Sequence, residues 1–233
     1  MSPPAPDTSP EDKLEAALEV IECMRVLGKS GQDLVKEVLQ GQDFVQWRQY
    51  PQEKGVYDAE SHAQYFFHAH EASWDEWDDY GHFHTFIRLP GITSKMQAVD
   101  TNTSDLPPEQ VIEATHLVGI SLDNQGQPVR LFTTNRWVTA ETWYGGEDVI
   151  ALLDQFEIDL AKPSWPLNRW LTAMLVLYRD EIEELIRQRD VVISAWSEDH
   201  PDTNVYEDRE LAVTSALVIN LGAKLSAVSE ILP

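Results

Sequence analysis

The amino-acid sequence predicts an α+β fold in which a central, mainly antiparallel sheet of four strands is flanked by helices from both ends of the chain. Two aromatic and β-branched runs within Gln64–Arg88 have the composition of strands and are separated by a polar linker that ends at Gly81. Two further runs, THLVGISLD and PVRLFTTNRWV, flank the turn sequence Asn124–Gln127, which favours a second hairpin. The segments before and after these hairpins carry apolar residues at helical spacing.

The N-terminal region begins with a Pro-rich tail at residues 1–8, which we expect to be disordered, and residues 9–233 are expected to form a single domain. Ser9 and Pro10 have the residue types of a helix N-cap and first turn, and Gly28 is a suitable end for that helix. The sequence next predicts a helix over about Gln32–Leu39 and loops over Phe44–Asp58 and Pro90–Pro108.

Three more helices are predicted after the second hairpin, at Glu147–Phe156, Leu167–Trp196 and Tyr206–Ile231. The last of these is apolar on several sides from Leu211 onward. We therefore expect it to be largely buried, either in the core or in the interface of a homodimer.

Composition excludes several classes of function. The formal charge is −23, from 17 basic and 40 acidic side chains, so nucleic acids and anionic membranes are disfavoured as partners. The single cysteine, Cys23, excludes an intrachain disulfide. The N-terminus lacks the pattern of a signal peptide, and no apolar run approaches the roughly 20 residues needed to span a bilayer. A cytoplasmic protein is the resulting expectation.

Four of the seven histidines occur as two His-x-His pairs in the first hairpin, His68 with His70 and His82 with His84. Residues two apart on a strand point to the same face. A register that pairs His70 with His82 also pairs Phe66 with Phe86 and Gln64 with Arg88, and it brings all four imidazoles together. A slip of one residue would send one pair to the opposite face.

Such a cluster predicts a site for a divalent metal, because neutral imidazole is the commonest metal ligand and three histidines suit zinc. Zinc, iron, copper and nickel all remain open. A hydrogen-bonded or proton-transfer cluster and unrelated surface histidines are the alternatives. His116, in the second hairpin, is a candidate fifth ligand or acid–base group, or else a histidine in contact with solvent. Glu71, in the linker, is a candidate ligand or base.

A second group of polar and aromatic residues follows the second hairpin. One interpretation is a substrate pocket built from Arg88, Asn135, Arg136, Trp137 and Glu141. The other, which the residue types favour, is a network in which Arg136 pairs with Glu141 and joins the sheet to a helix.

The runs HAH, YGHFH, THLVGIS, RLFTTNRWVTAETW and PSWPLNRW resemble an uncharacterised bacterial domain-of-unknown-function family over about Tyr57–Val192. This resemblance implies no activity. The histidines are also similar in ligand style to those of cupins and α-class carbonic anhydrases. Cupins, however, place a Glu a few residues after His-x-His, whereas Glu71 directly follows His70.

The function that the sequence favours is a His-ligated metal-dependent enzyme acting on a small molecule, by hydrolytic or oxygen chemistry. The alternatives are a non-catalytic protein that binds a metal or small ligand, and an interaction protein that works through its long helices.

Overall fold

A six-stranded antiparallel sheet lies at the centre of the molecule, and its strands follow one another in space in the order of the chain. The computed structural model describes residues 8–51, 55–70, 77, 79–103 and 111–230. The strands are β1 (Val56–Tyr57), β2 (Ala63–His68), β3 (Gly81–Arg88), β4 (Ala114–Leu122), β5 (Pro128–Thr134) and β6 (Val213–Val218). The predicted α+β class is confirmed. The predicted number of four strands is wrong, because β1 and β6 extend the sheet at its two edges.

The helices of the described residues are α1 (Pro10–Lys29), α2 (Leu34–Leu39), α3 (Arg136–Thr139), α4 (Gly146–Leu152), α5 (Trp165–Leu177), α6 (Arg179–Asp199) and α7 (Leu221–Glu230). Ser9 caps α1 as predicted, in a reciprocal capping box with Asp12. Residues 1–7 of the tail that we expected to be disordered lie outside the described residues. Among the described helices, none combines the length and the apolar composition needed to cross a membrane.

Helices cover one face of the sheet and form the main core with it. Tyr65, Phe67 and Phe83 point to this face and are fully buried. The ring of Phe83 lies 6.2 Å from that of Trp170 on α5, and the hydroxyl of Tyr65 donates to Oδ1 of the buried Asn168 at 2.6 Å. Burial of each large apolar side chain contributes about 1.5–3 kcal/mol. The histidines of β2 and β3 therefore lie on the opposite face of the sheet.

The register of the first hairpin differs from the predicted one by two residues. His68 lies opposite His82, and Gln64 lies opposite Phe86, so the predicted pairing of His70 with His82 is wrong. Close approach at Gly81 favours the observed register, because a Cβ there would lie 2.5 Å from the Phe67 ring and 2.8 Å from the His68 carbonyl oxygen. A shift of two residues keeps every side chain on its face, so the predicted grouping of imidazoles survives.

In the second hairpin, a register that places Leu122 opposite Val129 predicts that Ile120 faces Leu131, and this second pair is present. Beyond it the register shifts, so that Leu122 pairs with Pro128 and not with Val129. The extra residue on β5 is a bulge, which the alternation of apolar residues does not reveal.

Two predicted helices are wrong in extent. The segment Leu167–Trp196 forms α5 and α6, which are separated at Tyr178, where φ is −103° and ψ is 22°. Because both helices pack on the same core, their apolar spacing continues across the break. The helix predicted over Glu147–Phe156 ends at Leu152 and continues as a 3₁₀ turn, Leu153–Gln155.

The C-terminal helix predicted over Tyr206–Ile231 is also wrong. A 3₁₀ turn at Val205–Glu207, strand β6 and α7 occupy this segment. The β-branched residues of β6 favour a strand and pair with β5, for example Val213 with Thr134, so this segment forms a strand and not a helix. Among the residues of α7, Val228 alone is buried, so the segment is not the largely buried helix that we expected.

Candidate metal centre

Four imidazoles lie together on the face of the sheet opposite the helices. His68 is the last residue of β2, His70 follows that strand directly, and His82 and His84 are on β3. The ring of His68 lies 4.6 Å from those of His70 and His82 and 5.1 Å from that of His84. The strands therefore bring together the four side chains that the sequence predicted as metal ligands.

Three of these side chains form a set that could hold one metal ion. His68, His82 and His84 each offer a ring nitrogen, and the three nitrogens lie within 4.8 Å of one another. Imidazole nitrogens bound to one tetrahedral zinc would be about 3.3 Å apart, from metal–nitrogen distances of about 2.0–2.1 Å. Small side-chain rotations would thus complete the coordination. A void of about 10 Å³ borders His70, His82 and His84, which is roughly the space of one water-sized group.

Burial keeps the imidazoles of His68 and His84 in the neutral form that a metal requires. It lowers the pKa of His68 to about 2, with a smaller effect from the neighbouring His82 and His70. Burial and the surrounding histidines hold the pKa of His84 well below its usual range. At neutral pH the rings of His68 and His84 therefore present lone pairs and not positive charges.

Two buried atoms beside the cluster need further partners. Nε2 of His68 makes no hydrogen bond to any described residue. Oδ2 of Asp79 makes none either, and it lies 3.6 Å from Nδ1 of His82. A carboxylate behind a metal-ligating histidine is a common outer partner, because it fixes the orientation of the ring.

His116 joins the cluster because of a bulge in β4. His84 lies opposite Gly119, whereas Phe86, two residues further, lies opposite His116. The three-residue step on β4 places His116 on the histidine face; a regular ladder would turn it toward the core. Its Nε2 lies 3.0 Å from Nδ1 of His84, within hydrogen-bond distance. Burial, followed by the charge of Arg189, lowers the pKa of His116 to about 3.

Phe132 on β5 forms an apolar wall of the centre. Its ring lies 5.3 Å from that of His82 and 5.6 Å from that of His84. The ring covers Gly119, where a Cβ atom would lie 2.3 Å from the Phe132 Cζ atom. Gly119 is therefore needed for Phe132 to reach the histidines.

A cavity of about 520 Å³ opens beside the centre. His68 and His84 line one part of it, and Arg88 lines another. Its other described lining residues are Gln49, Gln64, Phe66, Phe86, Val111, Ile112, Glu113, Val138 and Thr139. This volume lies in the usual range of small-molecule sites.

The other residues predicted for a substrate pocket are placed in a structural network. Arg136 forms an ion pair with Glu207, and the predicted pair with Glu141 is wrong. The side chain of Asn135 caps α3 and donates to the carbonyl oxygens of Val205 and Leu211. Nε1 of Trp137 donates to the Leu211 carbonyl oxygen at 2.9 Å. None of these four residues is among the described lining residues of the cavity, whereas Arg88 is.

Glu141 supports the strand that carries His116. Its Oε2 accepts from the backbone N–H of His116 at 2.7 Å and from the hydroxyl of Thr115 at 3.1 Å. Burial raises the pKa of Glu141 to about 7, against the opposing effects of Arg189 and of these hydrogen bonds. Glu71, the predicted base, lies outside the described residues.

Several side chains around the centre were not predicted from the sequence. Trp47, 54% exposed, places its ring 4.5 Å from that of His70. Its backbone lies in the left-handed region, with φ of 67°, which is unusual for a bulky residue. Asp79 and Phe132 were also missed. The position of Asp79, three residues before His82 in the acidic linker, was an available signal, whereas nothing local pointed to Trp47.

The fold and the site define an α+β protein with a buried histidine cluster that could hold a metal ion. The chain belongs to the family DUF6969, a domain of unknown function, whose family model matches residues 14–219. The resemblance to an uncharacterised family is thereby confirmed, and the family description supplies no activity. The comparisons with curated proteins and with solved structures found no match.

Proposed function

We propose that this protein is a metal-dependent enzyme that acts on a small molecule. His68, His82 and His84 would bind one divalent ion, with zinc, iron, copper and nickel as the candidates. The observation that carries the proposal is the grouping of three buried ring nitrogens within 4.8 Å of one another. Nε2 of His68 is buried without a hydrogen bond to any described residue, and leaving it so would cost about 1–3 kcal/mol.

The cavity favours an enzyme over a carrier that closes the coordination sphere. Three protein ligands are typical of catalytic metal sites, which keep a position open for water or substrate. His68 and His84 line both the candidate centre and the cavity, so a bound molecule would meet the ion there. The ion would supply Lewis-acid activation of water or, for a redox metal, oxygen chemistry.

Residues around the ligands would orient them. If His84 binds the ion through Nε2, its Nδ1 carries the proton and donates to Nε2 of His116, which fixes the ring of His84. His116 would therefore act through His84. Asp79 would have the same relation to His82, and Phe132 would exclude water from one side of the centre. Glu71 stays a prediction for the acid–base group.

Metal content is the first test. We expect the purified native protein to carry about one equivalent of a transition metal by elemental analysis. Adding back the metal to chelator-treated protein should raise its free energy of unfolding by about 2.7 kcal/mol at free metal a hundredfold above the dissociation constant. His68→Ala and His84→Ala should each abolish this gain, compared with the same variant in chelator. His200→Ala, outside the cluster, should retain it.

The proposal would be overturned if the native protein carried no metal and no tested metal raised its melting midpoint.

The reaction is the second test. Zinc-loaded protein should hydrolyse an activated ester, or iron(II)-loaded protein should consume oxygen, and the His84→Ala variant treated identically should do neither.

A further inference from the structure

The cavity beside the histidines has an apolar middle. The rings of Phe66 and Phe86 stack with centroids 5.5 Å apart, and both line the cavity together with Ile112 and Val138. Phe66, Phe86, Ala114 and Ile112 form a small apolar cluster separate from the main core. An apolar portion of a ligand would lose contact with water against this surface.

Arg88 carries the only positive charge among the described lining residues of this cavity. Its Nη1 donates to Oε1 of Gln64 at 3.3 Å. A guanidinium has five N–H donors, so this one long bond leaves most of them available. Glu113 also lines the cavity but is exposed, and it forms no ion pair with Arg88.

Arg88 differs from the other arginines in its lack of both an ion pair and a contact with an aromatic ring among the described residues. Among the described residues, each of the others either forms an ion pair or lies over an aromatic ring, whereas Arg88 does neither. The paired arginines are Arg25, Arg136, Arg169, Arg179, Arg187 and Arg189, and those over rings are Arg48, Arg130 and Arg209. In a chain with 40 acidic side chains, this half-buried guanidinium has no described carboxylate partner, although Arg pairs strongly with carboxylate and phosphate.

The positive group and the candidate metal centre face the same cavity from one strand. His84, Phe86 and Arg88 alternate along β3 and share a face. Four residues of strand place the Cα atoms of His84 and Arg88 about 13 Å apart. A molecule with an anionic group at one end and an apolar body between Arg88 and the histidines would fit this arrangement.

We propose that the ligand of this cavity is a small amphipathic anion. Its carboxylate is bound by Arg88, its apolar body lies on Phe66 and Phe86, and its far end reaches His68 and His84. The approach of the far end to His68 and His84 rests on the proposed function, whereas the binding of the anion by Arg88 does not. Phosphate would meet the same guanidinium chemistry, so the two oxyanions must be distinguished by experiment.

The test compares matched probes on chelator-treated full-length protein. The carboxylate 3-phenylpropionate, its neutral amide and phenyl phosphate are titrated by ligand-observed NMR into wild type, Arg88→Gln and Arg25→Gln. Arg25 lies on α1 in an exposed pair with Glu22, which makes its variant a matched control. We expect the carboxylate to bind wild type and Arg25→Gln equally, and Arg88→Gln roughly tenfold or more weakly, the range of one charged hydrogen-bonding group.

Equal binding of carboxylate and amide, equal binding to Arg88→Gln and wild type, or no binding of any probe to wild type would each overturn the inference. Tighter binding of phenyl phosphate with the same dependence on Arg88 would support an anion site and assign it to phosphate. Metal content is measured on the same samples. A protein that binds no metal but takes the carboxylate through Arg88 would refute the proposed function and leave this inference standing.

Discussion

The hydroxyl of Thr85 bridges the bulge in β4 by bonding to both backbone groups of Val118. It donates to the Val118 carbonyl oxygen at 2.7 Å and accepts from the Val118 amide at 3.3 Å. These backbone groups lie where the register of β3 and β4 shifts, and Thr85 and Val118 are both fully buried. A core threonine thus stabilises the irregularity that places His116 beside His84.

Thr85→Val should destabilise the protein and disorder the position of His116. The substitution keeps the shape of the side chain but leaves a buried amide and carbonyl without this partner, at a cost of about 1–3 kcal/mol. Urea denaturation measures the loss, and the histidine ring signals in NMR report the movement of His116. Thr85→Ser retains the hydroxyl and is the matched control. Equal stability of the Val and Ser variants would contradict the bridging role.

Gly119→Ala should displace Phe132 and weaken metal binding. The new methyl group would lie 2.3 Å from the Phe132 Cζ atom, so the ring must leave the position from which it covers His82 and His84. We expect a destabilisation of about 1–3 kcal/mol, as for an overpacked core site, together with a weaker metal-induced rise in the melting midpoint.

Gly28→Ala is the control for the glycine substitution. Gly28 lies near the end of α1, and a Cβ there meets no atom within 4 Å, so alanine should be neutral or stabilise the helix by up to about 1 kcal/mol. If Gly119→Ala behaved like Gly28→Ala in both measurements, the wall formed by Phe132 would not depend on Gly119.

The chelator-treated protein should lose stability as the pH falls below about 6.5. The folded pKa values of His68, His84 and His116 all lie below the unfolded value of 6.5. Below pH 6.5 the unfolded state therefore binds more protons at these sites than the folded state does. Each histidine then lowers the stability by about 1.4 kcal/mol per pH unit. Glu141 acts in the opposite direction between about pH 7 and its usual pKa of 4.5, but one carboxyl offsets only one of three imidazoles.

His116→Gln should reduce the pH dependence of the unfolding free energy by the uptake of about one proton. The measurement is the change in unfolding free energy between pH 6 and pH 4. Contributions of the groups that do not contact His116 cancel in the comparison with wild type. Thr134→Val is the control, because it removes a neutral hydroxyl beside the void that borders His70, His82 and His84 and should change the stability equally at every pH. An unchanged slope in His116→Gln would mean that His116 is not buried in its neutral form.

Removal of α7 should leave a folded protein, whereas removal of β6 should not. A chain ending at Asn220 loses the buried side chain of Val228, worth about 1.5–3 kcal/mol. A chain ending at Leu211 also loses every pair between β5 and β6. Circular dichroism and thermal melting of the two truncated chains distinguish them. Unfolding of the longer chain would show that α7 is essential to the core.

The grouping of the histidines was determined by the sequence alone. Alternation in Gln64–Arg88 assigns His68, His70, His82 and His84 to one face of a hairpin, and the observed shift of two residues does not alter that assignment. The capping of α1 by Ser9 is equally local, because it needs only residues within one turn. These features depend on contacts between residues that are close in sequence or on a strand period of two.

The tertiary structure alone decided the register, the place of His116 and the identity of the last strand. The register depends on the fit of Gly81 against His68, and the bulge depends on a hydroxyl from the neighbouring strand. Strand β6 exists because β5 offers an edge to Val213–Val218, a segment that the apolar pattern from Leu211 onward assigns to a longer helix. In each case the deciding partner is distant in the chain, so no local pattern contains it, and the physical reason is a packing or hydrogen-bond requirement that arises only when the strands meet.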